Sequence, residues 1–282
     1  MPKRIAQTRA WRFSSEVIRR FNQDQSAVLA GYIAYASMLA GFPFLIFTLT
    51  LAGEIIGARY SAEAIAALFD AVPAHVAQTL QPVLEEVIGV DRGGVLTIAA
   101  LGTIYAASNG VEAIRIGLDR AYDIESQRNF VMNRLVSVAF VLIGFLVFGC
   151  LAILIIFAPL AFRLIEDLTT LDIPASADIG RYLVGGGLLY GMLWLMHRYL
   201  PARRMRYMRI WPGIVLSMLI WVLLASALSV YLAFAPSYAL TYGALSGVIV
   251  TLLFFYLTGV AIILGAQVNA VINFGIGDVR GI

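Results

Sequence analysis

The residues best placed to do chemistry in this sequence are the few polar ones that interrupt its apolar runs. Asn109, Glu112 and Arg115 recur at helical spacing and continue to Asp119 and Tyr122, so one helix would carry them as a polar stripe. An Arg with carboxylates a turn away on the same helix can do two things. It can attract a phosphate while the Glu holds it ready, or it can close i,i+3 and i,i+4 ion pairs that support a helix extending out of a membrane. Gln267 and Asn269 are amides near the end of another apolar run. They could hydrogen-bond between helices, toward a ligand or purely as structure. The run Arg203-Arg204-x-Arg206 suits capture of anionic lipid head groups, or serves only to orient the chain. Nucleic-acid binding would need a larger basic surface with interleaved aromatics.

Other chemistry is poorly provided for. The chain has 2 histidines, His75 and His197, which the charge pattern below places on opposite faces of a bilayer. No cluster of carboxylates or histidines has metal-ligand spacing, and neither a phosphate-binding loop nor a Gly-x-Ser-x-Gly elbow occurs. A metal-dependent nuclease needs several such ligands to converge. The sequence therefore points to a non-enzyme with no catalytic residues, no metal and no cofactor. Cys150 is the single cysteine and lies in an apolar run, so there is no disulfide framework.

The elements that must position these residues are membrane helices. The chain is 61% hydrophobic and 13% charged, against roughly 25% charged for a soluble domain. Residues 210–277 contain no Asp, Glu, Lys, Arg or His. A spanning helix takes roughly 20 apolar residues, so this stretch holds two, separated at Ala235-Pro236-Ser237 where Pro disfavours helix. Uncharged runs at 25–53, 93–111, 135–162 and 182–196 supply four more, giving six spans. All but Arg59, Arg92, Arg163 and Arg181 of the Lys and Arg residues fall on one side of these spans. The positive-inside bias makes that side cytoplasmic, with both termini on it.

The expected fold class is all-α, a polytopic membrane protein with six transmembrane helices plus amphipathic interfacial and external helices. Residues 1–24 form a basic cytoplasmic arm whose Val17, Ile18 and Phe21 oppose arginines on an interfacial helix. Residues 25–273 form the membrane domain, with an external helical segment at 54–92, and 274–282 form a cytoplasmic tail. Tyr32, Tyr231, Tyr238 and Tyr242 suit interfacial belts; Tyr35 lies deeper in its run and fits that role less well. Gly187-x-x-x-Gly191 and Gly243-x-x-x-Gly247 permit close helix packing, within the monomer or in a homo-oligomer.

Several strings resemble the YihY/BrkB family of bacterial inner-membrane proteins, once called ribonuclease BN. They are Ala34-Tyr35 with Phe42-Pro43, Leu118-Asp119-Arg120-Ala121-Tyr122 with Arg128 and Arg134-Leu135, and Leu200-Pro201 with Arg203-Arg204 and Trp211-Pro212-Gly213. The last is Tyr238 and Tyr242-Gly243-Ala244-Leu245, followed by Gly265-Ala266-Gln267-Val268-Asn269-Ala270. Gln267 stands where the family has Glu, so no titrating carboxylate is expected there. The resemblance implies six helices, a bacterial inner-membrane address, and links to envelope lipid or lipopolysaccharide export and to serum resistance.

The function expected from these residues is transport or flipping of an anionic amphiphile, a phospholipid or lipid A precursor. Tyr35, Asn109, Glu112, Arg115, Arg203, Arg204, Tyr238, Tyr242, Gln267 and Asn269 are the candidate binding residues. The partners are membrane lipids and not nucleic acid. The rivals are a non-transporting scaffold for envelope enzymes and a small-solute or ion pore.

Overall fold

The computed structural model describes residues 9–56, 92–125, 128–152, 176–203, 208–234 and 245–275. Among these residues the regular structure is seven helices: α1 (Arg9–Gln23), α2 (Ser26–Ile56), α3 (Arg92–Ala121), α4 (Phe130–Ala152), α5 (Ser176–Tyr199), α6 (Trp211–Phe234) and α7 (Leu245–Phe274). The long uncharged runs become helices because a helix satisfies its own backbone groups where no water can. Among the described residues three stretches are long and apolar enough to cross a membrane: Phe130–Leu151, Trp211–Leu232 and Gly247–Phe274. Helices α2, α3 and α5 occupy the runs read as spans one, two and four. Residues 57–91 of the expected external segment, His75 among them, and the candidate residues Arg204, Tyr238 and Tyr242 lie outside the described residues, while 54–56 continue α2 and Arg92 opens α3.

Local signals fix several helix ends. Asn129 Oδ1 accepts the Met132 amide at 3.2 Å, an N-cap for α4. Gly275, at φ +86°, sends its amide to Val271 O at 3.0 Å and ends α7; only glycine takes that left-handed turn without strain.

Helix α7 is the hub, packing on α1, α2, α3 and α6, while α2 lies along α3. Small residues allow this closeness. A Cβ built on Gly259 would stand 3.1 Å from Ala30 Cα, and one on Gly265 only 2.4 Å from Gly213 O. The backbones of α6 and α7 therefore nearly touch, as small residues permit inside a membrane. The core of the bundle joins Leu118, Tyr122, Phe140, Met196, Leu200 and Ile262. Many large apolar side chains face outward instead, such as Leu135, Leu142 and Leu146 on α4 and Leu219 and Leu223 on α6. A hydrocarbon surround covers such side chains.

Helix α1 departs from the expected pattern. Val17 does not share an outward apolar face with Ile18; it is buried against Val268 and Val271 of α7, while Ile18 and Trp11 stay exposed. Glu16 is buried beneath this contact and accepts from Arg20 Nε at 3.0 Å and from Arg19 Nε at 2.9 Å. These partners, Arg19 foremost, hold the Glu16 carboxyl below its ordinary value of 4.5. A depressed carboxylate stabilises the fold fully above its unfolded value and loses that contribution as pH falls through the folded one. Acidification below about pH 4.5 is therefore expected to loosen α1 before the rest of the bundle. Glu16→Gln is expected to cost about 2 kcal/mol at neutral pH and to remove most of this acid sensitivity. Amide hydrogen exchange of α1 against pH checks both; exchange that does not vary with pH in the native protein contradicts them.

Candidate functional site

The stripe on α3 forms as its spacing predicts, and its ion pairs close on themselves. Arg115 reaches back to Glu112, with Nε to Oε2 at 2.9 Å and Nη2 to Oε1 at 2.6 Å. Its Nη1 binds Asp119 Oδ2 on the next turn. Both charge-assisted contacts satisfy a guanidinium that is only 5% exposed. The carboxylates reach further. Glu112 Oε2 accepts from Ser137 Oγ of α4 at 3.3 Å, and Asp119 Oδ1 accepts the Ala202 amide, in the loop after α5, at 2.8 Å. Burial holds the Asp119 carboxyl above its ordinary range, against the Ala202 amide and the Arg115 charge. The set is thus a strut tying α3 to α4 and to the 200–203 loop, the arrangement of the ion-pair alternative. Arg128 adds a bond from Nη1 to Leu200 O at 3.4 Å.

One turn earlier the chemistry differs. Asn109 Oδ1 accepts from Arg134 Nη1 of α4 at 2.7 Å, and Arg134 Nη2 donates to Tyr105 O at 3.3 Å. The same guanidinium lies over the Tyr105 ring, 4.6 Å from its centroid. These hydrogen-bond partners are neutral oxygens and a π face, and the negative group that feels the Arg134 charge is the Glu112 carboxylate. Arg134 is half-buried, and Tyr105 beneath it and Leu135 beside it in the chain are exposed. A guanidinium beside exposed apolar side chains is suited to bidentate binding of a phosphate.

The α7 amides serve other elements. Asn269 Oδ1 accepts the Gly213 amide at 2.7 Å, while its Nδ2 donates to Ile210 O at 2.8 Å and to Tyr122 Oη at 3.4 Å. It caps the start of α6 from a neighbouring helix, meeting donors that no intrahelical carbonyl can. Asn273 repeats this at Arg209, accepting its amide at 2.9 Å and donating to its carbonyl at 3.0 Å. Gln267 Nε2 donates to Asp24 Oδ2 at 2.7 Å in the α1–α2 corner.

The candidate residues are therefore dispersed. Asn109, Glu112 and Arg115 sit together, Asn269 joins them only through Tyr122, and Gln267 belongs to the opposite side of α7. Arg203 is exposed, and Tyr35 is 58% exposed on α2 and faces outward. Sequence reasoning did not single out Arg134, Ser137, Asp24 or Asn273. Arg134 carried one signal, its place in the Arg134-Leu135 string; the others pair only through the tertiary fold. His197, fully buried, donates from Nδ1 to Leu193 O at 2.9 Å. Among the described residues no three His, Cys, Asp or Glu side chains are placed to hold a metal ion.

The pattern of the family described as virulence factor BrkB matches residues 17–277. Similar proteins include the ribonuclease-like protein YfkH of Bacillus subtilis (strain 168), 28% identical over 93% of this chain and 95% of its own length. A UPF0761 membrane protein of Pseudoalteromonas translucida is 22% identical over 92% of this chain and 85% of the relative. A UPF0761 membrane protein of Coxiella burnetii (strain Dugway 5J108-111) is 26% identical over 93% of each. No solved structure matches the chain.

Proposed function

The chain belongs to the BrkB virulence-factor family, and from that premise we propose that this integral membrane protein transports or flips an anionic amphiphile of the cell envelope. The observation that carries the reading is Arg134: a guanidinium paired with neutral acceptors in its hydrogen bonds, over the exposed Tyr105 ring. The head group would meet Arg134 and Asn109 while the acyl chains stay against α3 and α4. Phospholipid and lipid A precursors share the phosphate this guanidinium would bind. The Glu112–Arg115–Asp119 strut holds α3 in register beside it and takes no part in binding. In the same reading the chain lies in the bacterial inner membrane with six spans and both termini cytoplasmic, as the distribution of Lys and Arg favours. The same reading gives it no enzymatic activity, which the pairing of Glu112 and Asp119, the acids best placed for chemistry, with Arg115 supports.

The scaffold reading draws on that same closed strut, and a binding experiment separates the two. In lipid nanodiscs, Arg134→Gln is expected to weaken retention of anionic phospholipid about tenfold, the loss of one charge-assisted contact, and to leave zwitterionic lipid unchanged. Equal retention of anionic lipid by a folded Arg134→Gln protein contradicts the head-group role.

A further inference from the structure

We propose that the outward face of α1 is a docking surface for anionic phospholipid, with Trp11 and Ile18 entering the acyl boundary and Arg12 and Arg19 at the head groups. Trp11 and Ile18 lie about two turns apart on one side of the helix, and they are 62% and 59% exposed. Arg12 and Arg19 each follow one of them in the chain, so they form a parallel exposed row at its flank. The apolar side of α1 is wider than its seat on the protein. Val17 covers α7, and the apolar sector continues past that contact to Ile18 and Trp11.

The seat on α7 sets the depth of α1. Arg20 Nη2 donates to Gly275 O, just past the end of α7, at 3.5 Å, and Val17 packs on Val268 and Val271. Those two valines lie within the last two turns before Phe274, where α7 ends. At 1.5 Å per residue that is about 5–9 Å inside the helix end. An amphipathic helix on a bilayer buries its apolar face roughly 5–10 Å into the boundary between head groups and acyl chains. Helix α1 is thus held where α7 leaves the hydrocarbon, and its outward side chains meet the lipid that surrounds the bundle there. Tryptophan is enriched at that level of membrane proteins.

Charge selects the lipid class. Helix α1 carries four arginines against one glutamate, and the excess stays positive with Asp24, just beyond the helix, counted. Among the described residues Glu16 pairs with Arg19 and Arg20, while Arg12 stands exposed. The elements packed on α1 offer no acid in offset: residues 210–277, which supply α6 and α7, contain none, and neither do residues 26–53 of α2. A basic row at head-group level attracts anionic lipid, and zwitterionic lipid gains nothing from it. The inference rests on the placement of the bundle in a membrane and on none of the chemistry at Arg134. In lipid discs, whose two leaflets are alike, it is also independent of which leaflet α1 faces.

The test places a fluorophore on Ser15→Cys in a Cys150→Ser background of the intact protein, Ser15 being exposed between Trp11 and Ile18. The label is read in nanodiscs of phosphatidylcholine with or without phosphatidylglycerol, against a quencher carried on the acyl chain and a neutral one in water. Quenching from the lipid is expected, stronger with phosphatidylglycerol and weakened by salt. Arg12→Gln should lower the phosphatidylglycerol-dependent docking about fivefold. Trp11→Ala with Ile18→Ala should shift the label toward the aqueous quencher, and Arg134→Gln should change nothing. Quenching from water alone in both lipids overturns the surface, and so does lipid quenching that is the same with and without phosphatidylglycerol.

Discussion

Gly265→Val is expected to yield little folded protein, and Gly265→Ala to lower stability by about 3 kcal/mol or more, at the upper end for overpacked sites. A Cβ at residue 265 would fall 1.9 Å from Ser217 Oγ and 2.4 Å from Gly213 O. Ser217 could rotate away, but the Gly213 carbonyl is backbone and cannot. Helices α6 and α7 would have to part, and parting them would pull Asn269 from the Gly213 amide and the Ile210 carbonyl that it holds at 2.7 and 2.8 Å. The control is Gly191→Ala on α5, where a Cβ meets nothing within 4 Å. That change should be neutral, or stabilising by up to about 1 kcal/mol through helix propensity. Thermal unfolding in detergent, followed by monodisperse recovery, checks the pair. Equal stability of Gly265→Ala and the native protein would contradict the close approach.

The second large effect belongs to Arg115. Arg115→Leu should destabilise the protein by about 3 kcal/mol, because it leaves the buried Asp119 carboxylate and the part-buried Glu112 carboxylate without their partner. Its side chain bonds Glu112 and Asp119 together, so exchanging Glu112 with Arg115 does not conserve the interaction. A carboxylate at position 115 would face Asp119 at i+4. The exchange should therefore be as damaging as the leucine, whatever the protein transports. A triple variant, Glu112→Gln with Arg115→Leu and Asp119→Asn, removes every charge and should recover most of the loss. Thermal melting of the three variants in one detergent decides the matter, and an Arg115→Leu protein that melts like the native one would show the strut to be dispensable.

These two sites show what the sequence discloses. Helices α4, α6 and α7 were legible because a long uncharged run has few alternatives in a bilayer. The α3 stripe was legible as a stripe, since 109, 112, 115 and 119 fall on one face. Whether Arg115 served a ligand or an ion pair was not legible, because the answer rests on Ser137 and Ala202, distant in sequence, which fix the two carboxylates. Arg134 escaped notice for the same reason: its partners, Asn109 and Tyr105, lie on another helix. The glycines teach the converse. Gly187 and Gly191 have the spacing of a packing motif but stand in open space, while Gly213 and Gly265, which carry the contact, lack that spacing. Spacing states what packing is permitted, and the opposing helix decides which permission is used.

The most direct measurement of the central claim is transfer of a fluorescent anionic phospholipid between leaflets of vesicles containing the purified protein. Native protein is expected to move it faster than protein-free vesicles do, folded Arg134→Gln to slow it about tenfold, and a zwitterionic analogue to be moved less. Native, well-folded protein that transfers anionic lipid no faster than empty vesicles would contradict the account.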